Sequence, residues 1–267
     1  MNFTKHLETL VEISSQNLSE AHIRQHIYTA NLIKKQFQLD TNGPGAFSVY
    51  KYSDNLHYLN NCLNGQKKWI SFLPKVSWAI LTIKHIDKIQ VVLVKLDKST
   101  KIEMISTSGM EETLTGHLTF NHTPCKILCS EDDYNYFFIR RQQSLAFIAN
   151  LYGLAKGLYQ DIDKHTLSQN IRCDSQKQKL KLQLDVVDLI WKHIPKNITD
   201  KHRSHYFWKQ KNIAYSFAKK CLLEITQFMT EITNSGIYVS ENIAHQRYKD
   251  ALIYISHMKN LYFSLQD

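Results

Sequence analysis

The spacing of apolar residues in this chain changes twice, and those changes restrict its possible folds more than any other feature. Phe3, Leu7, Leu10 and Val11, then Ile23, Ile27, Ala30, Ile33 and Phe37, recur three and four residues apart. That period places side chains on one face of a helix. Two helices fit residues 3 to 38, joined near Asn17-Leu18-Ser19-Glu20. Ser19 suits an N-cap, since its hydroxyl can accept from an orphan amide of the first turn. The stretch Asp40-Thr41-Asn42-Gly43-Pro44-Gly45 ends the pattern, because proline cannot continue a helix and glycine opens conformations closed to other residues.

From Ala46 the period shortens to two. Phe47–Tyr52, Leu56–Leu59, Trp69–Phe72, Trp78–Lys84, Gln90–Leu96, Ile102–Ser106 and Leu118–Phe120 are short runs rich in β-branched and aromatic residues. Asn64-Gly65 and Asp87-Lys88 separate several of them as hairpin turns. After Asp132 the helical period returns over Phe137–Gln160, Gln176–His193, His205–Thr233 and Ala244–Leu265. The expectation is an α+β chain in three parts. A short N-terminal helical segment occupies residues 1–45, a small antiparallel β-barrel or sandwich occupies 46–130, and a four-helix-bundle-like domain occupies 131–267.

The formal net charge of +9 would suit a polyanion if the basic residues were clustered, but they are scattered. Lys34-Lys35, Lys67-Lys68, Arg140-Arg141 and Lys219-Lys220 read as solvated charges, so no nucleic-acid partner is expected. The five cysteines, Cys62, Cys125, Cys129, Cys173 and Cys221, fall at unrelated spacings. An odd, unpatterned set argues for a reducing compartment over a disulfide framework. Cys125 and Cys129 lack a second ligand pair for zinc, so no metal is expected. The N-terminus lacks a signal-peptide core and no run is long enough to span a membrane, which makes the cytoplasm the expected location.

Leu63-Asn64-Gly65-Gln66-Lys67-Lys68-Trp69-Ile70-Ser71, and then Gly109-Met110-Glu111-Glu112-Thr113 through Phe120 to Pro124, carry a resemblance. The first resembles the middle-domain signature of the acyl-CoA dehydrogenase-like flavoprotein superfamily. The second resembles that superfamily's Gly-Met-Arg-x-Thr run. Ala149-Asn150-Leu151-Tyr152-Gly153-Leu154-Ala155, Gln183 through Asp188, and Ser235-Gly236 followed by Arg247 and Asp250-Ala251 are similar to its helical-domain motifs. The likeness spans about residues 46 to 267, with a shortened N-terminal domain. It implies that Trp69, Ile70 and Ser71 lie along a flavin ring, and that Thr113 and the Gly236 turn also contact the cofactor. The cofactor implied is FAD, with reduced FMN as the variant. Composition alone reads Trp69 and Ile70 as core residues of a barrel strand.

Dehydrogenases of this superfamily commonly place a glutamate base where this chain reads Ser256-His257-Met258-Lys259-Asn260. The spacing of Asp250, His257 and Asn260 is similar instead to the two-component flavin monooxygenase branch, which makes His257 the candidate catalytic base. Two functions remain in view. One is a flavin-dependent oxidoreductase acting on an acyl-CoA or carrier-protein thioester, or on a small organic substrate. The other is a degenerate relative that has lost its flavin and serves as a partner subunit or binding module. The resemblance also implies a homodimer or homotetramer.

Overall fold

The structure is a computed structural model, and it describes residues 2–49, 54–168, 173–194, 196, 204–233 and 243–263, without the side chains of 167, 168, 204, 243 and 257–263. The chain forms two compact units. One comprises Met1–His22, Ser108–Met110 and Ser144–Asp267, and the other comprises Ile23–Thr107 and Glu111–Gln143.

Among the described residues there are six α-helices: α1 (Phe3–Ser14), α2 (Leu18–Gln36), α3 (Tyr134–Ser168), α4 (Asp174–His193), α5 (Ser204–Thr233) and α6 (Ile243–Phe263). Helix α2 begins at Leu18, two residues earlier than a Ser19 cap allows. The cap is Asn17, whose side-chain oxygen accepts the Glu20 amide at 2.9 Å, while Ser19 is buried in the first turn. Asparagine and serine cap about equally well, so burial decided between them.

In the helical unit α3 is buried on every side over 145–158, with Leu145, Ile148, Leu151, Leu154 and Leu158 fully enclosed. A helix apolar all round must sit in the middle of its neighbours. Residues from α1, α4, α5 and α6 join it in one core with Leu7, Leu10, Leu184, Trp191, Leu222 and Tyr254. Two glycines on α3 admit α1 to this core. A Cβ at Gly153 would meet Val11 O at 2.3 Å, and one at Gly157 would meet Ser15 O at 2.2 Å.

The other unit is a seven-stranded sheet: β1 (Gly45–Ser48), β2 (Asn55–Leu59), β3 (Cys62–Ile70), β4 (Trp78–His85), β5 (Lys88–Lys95), β6 (Thr100–Met104) and β7 (Gly116–Ser130). Its path runs β1-β4-β5-β7-β3-β2, with β6 also on β7. The path has two free ends, so the sheet is not closed into a barrel, and β1 pairs with β4 in parallel while the other pairs are antiparallel. The long strand β7 bonds β3 and β6 over its first half and β5 over its second. The sheet therefore folds over at β7. Leu63, Ile70, Leu81, Val92, Val94, Leu118 and Phe120, drawn from both halves, share one core.

Asn64-Gly65 is not a turn. The β2–β3 hairpin closes through Asn60 and Asn61, both left-handed at φ 50° and 60°, the pair of positive angles that a two-residue hairpin requires. Gly65 lies within β3 at a register shift. Its φ is +101°, and a Cβ there would meet Asn55 O at 1.9 Å, so the glycine makes a bulge possible. Leu118–Phe120 is similarly only a fragment of the fifteen-residue β7. Its outer half alternates too weakly to read, because the strand changes partners there.

Candidate functional site

The end of β3 departs from regular strand geometry. Register with β7 slips between Lys67 and Ile70, and Trp69 sits at φ 60°. An extra residue in one strand turns its side chain out of the pleat. Ile70 is 1% exposed and pairs with Gly116, whereas Trp69 is 39% exposed. The core reading thus holds for Ile70 and fails for Trp69, whose indole stands outside. A left-handed tryptophan costs energy that the surroundings must supply.

Neighbouring groups hold the indole in place. The Trp69 backbone N–H donates to His117 Nδ1 at 3.3 Å, and the two rings meet edge to face at 5.9 Å and 82°. Beyond Ile70, the Ser71 hydroxyl lies 3.2 Å from Thr115 Oγ1, which is 2.7 Å from Thr113 Oγ1. Phe72 N donates to Thr113 O at 2.7 Å and Leu73 N to Leu114 O at 3.2 Å. Phe72 and Leu114 are also left-handed, at φ 67° and 49°. Segments 69–73 and 113–117 thus form one cross-linked platform: a projecting indole beside an imidazole and a chain of three hydroxyls.

The structure brings together Trp69, Ile70, Ser71 and Thr113. Gly236 lies outside the described residues, and for His257 only the backbone, within α6, is described. His117 and Thr115 were missed by sequence reasoning. The available signal was the alternation along Gly116-His117-Leu118-Thr119-Phe120, which puts Leu118 and Phe120 inside and His117 outside.

In the helical unit the Gly109-Met110 motif proves architectural. Met110 N donates to Asp250 Oδ1 at 2.7 Å, and Gln246 Nε2 donates to the same oxygen at 2.8 Å. A Cβ on Gly109 would meet Lys249 O at 2.8 Å, so glycine lets this loop lie against α6. Arg247 Nη1 donates to both oxygens of Asp161. The Arg247 and Asp250 charges are therefore committed to internal contacts.

No protein-family model matches the chain, and no curated protein does. Solved structures do. Dibenzothiophene monooxygenase TdsC from Paenibacillus sp. A11-2 is 14% identical, with a TM-score of 0.76 over 98% of this chain and 81% of that one. Butyryl-CoA dehydrogenase from Megasphaera elsdenii is 12% identical, with a TM-score of 0.75 over 98% and 81%. The fold is that of the acyl-CoA dehydrogenase-like flavoproteins. A glutaryl-coenzyme A dehydrogenase bound to glutaryl-CoA shares this acyl-CoA dehydrogenase-like fold at 13% identity and a TM-score of 0.73, over 93% of this chain and 74% of that one. TdsC has also been solved with FMN and indole.

Proposed function

We propose that this chain is a flavin-dependent oxidoreductase whose isoalloxazine ring lies on the Trp69 platform, with FAD or FMN as cofactor. The supporting observation is the outward, left-handed Trp69, an arrangement that core packing does not demand and a planar ligand would use. The indole provides an apolar stacking surface. The Ser71, Thr115 and Thr113 hydroxyls offer donors and acceptors to polar ring atoms, and His117 fixes the indole's direction. When bound, the flavin supplies the two-electron chemistry and the protein supplies position and electrostatics.

The substrate class follows from what the C-terminal helix offers. Residues 256–260 contain no carboxylate to remove a proton alpha to a thioester, while His257 offers an imidazole, a side-chain type able to accept the acidic proton of a small organic substrate. The reading therefore favours the monooxygenase branch over acyl-thioester desaturation. Absorption spectroscopy of the purified protein, with titration by FAD and by FMN in both redox states, tests the cofactor. Saturable binding is expected, and Trp69→Ala should weaken it about tenfold, the worth of one stacked ring. A folded protein indifferent to every flavin would instead indicate a partner subunit or binding module.

The assembly proposed is a homodimer or homotetramer formed through α4 and α5. Leu182 and Leu189 on α4 and Phe217 on α5 are 67%, 58% and 47% exposed. Leu182, Val186 and Phe217 line one groove together with Gln178 and Gln183. Apolar side chains grouped in this way on a water-facing helix pair suit an interface. Sedimentation should show an oligomer that Leu182→Glu with Phe217→Glu converts to monomer. A wild-type monomer at all concentrations would discard this assembly. Among the described residues no helix is long and apolar enough to cross a membrane.

A further inference from the structure

The sequence presents Arg140-Arg141 as an ordinary solvated pair, and the structure corrects this for Arg141. The residue is 3% exposed, and its Nε and Nη1 are buried with no hydrogen-bond partner among the described residues. The guanidinium lies 5.2 Å from the Phe138 ring. The ionisable neighbour that acts on it is the Tyr134 phenol, and burial pushes its pKa down. One residue on, Gln142 is 4% exposed, and its Oε1 is likewise buried without a partner among the described residues. By contrast, the fully buried Lys67 meets Asp54 and the partly buried Arg247 meets Asp161.

An isolated buried charge costs several kcal/mol, on the order of the stability of a whole domain. Lysine can escape by losing its proton, but arginine stays charged at any physiological pH. An aromatic face recovers only about 0.5–2 kcal/mol of this cost. The guanidinium array matches the oxygens of a carboxylate or phosphate, and charge-assisted bonds to such a group satisfy the N–H donors and neutralise the charge together. We propose that Arg141 anchors a binding site for an oxyanion, the phosphate or carboxylate group of a ligand, with the Phe138 ring as one wall and Gln142 as a further polar contact. The proposal stands independently of the flavin reading.

The test is thermal unfolding of the full, flavin-free chain in inorganic phosphate, pyrophosphate or acetate, at ionic strength matched with chloride. Wild type should be stabilised saturably by at least one of these anions. A response to phosphate or pyrophosphate identifies a phosphate-bearing ligand, and a response to acetate identifies a carboxylate. Arg141→Met should abolish the response and, in chloride alone, unfold at a higher temperature than wild type because an unpaired charge has been removed. Arg141→Lys keeps the charge but not the planar array, and should raise the half-saturating anion concentration about tenfold or more. This comparison stands even if the methionine variant fails to fold. Wild type that ignores all three anions would overturn the proposal, as would variants that respond just as wild type does.

Discussion

Gly157→Ala lowers the stability of the protein by about 3 kcal/mol, the upper range for forcing an extra group into a packed interior. In an uncrowded helix the same change stabilises by about 1 kcal/mol, because alanine is the better helix former. Here the sign reverses, since the new Cβ would sit 2.2 Å from Ser15 O and 3.0 Å from its carbonyl carbon. Those are backbone atoms at the end of α1 and cannot rotate away, so α1 must shift off α3. Gly153→Ala presses on Val11 O at 2.3 Å and on Ser14 Oγ at 1.9 Å. The Ser14 hydroxyl is already bonded to Leu10 O at 2.6 Å, so turning it aside breaks a buried hydrogen bond. Calorimetry should show the Gly157→Ala midpoint lower by roughly 6–12 °C, given about 2–4 °C per kcal/mol at this chain length. An unchanged or raised midpoint would mean that α1 does not pack this closely.

Asp54→Ala should cost about 3–5 kcal/mol, the penalty for stranding a buried charge. Lys67 and Asp54 form an ion pair with both side chains fully buried. The ammonium also donates to Val49 O, and the other carboxylate oxygen accepts the Lys68 amide at 3.1 Å. The pair fastens the segment before β2 to β3, two residues from Trp69. Burial pushes the Lys67 pKa down while Asp54 opposes the shift. Replacing both partners, Lys67→Met with Asp54→Leu, should restore most of the stability, because two desolvated charges disappear together. Urea unfolding of the two single variants and the double variant separates the cases. Additive losses, with no recovery in the double variant, would refute the pairing.

Both effects depend on residues whose importance the sequence understated. Lys67-Lys68 reads as a solvated pair, yet Lys67 is fully enclosed. Alternation along β3 could have flagged it, but the bulge at Gly65 resets which face each residue takes. Gly153, by contrast, lies in a run that the resemblance picked out, although its role in admitting α1 was not legible.

What the sequence determined by itself is the succession of periods. Helices α3 to α6 and most strands lie near their expected positions, because apolar spacing is local and each element must bury one face. The neighbourhood of Trp69, Ile70, Ser71 and Thr113 was also legible, through a run of adjacent residues. The tertiary structure alone decided the rest. It placed the turn at Asn60-Asn61, left the sheet open at β1 and β2, exposed Trp69 while burying Ile70, and brought His117 to the indole from forty-eight residues away. It also enclosed Arg141 with two of its nitrogens unpartnered among the described residues. Each of these depends on which strands pair and in what register. That is settled by non-local burial, where a slip of one residue turns every following side chain to the opposite face.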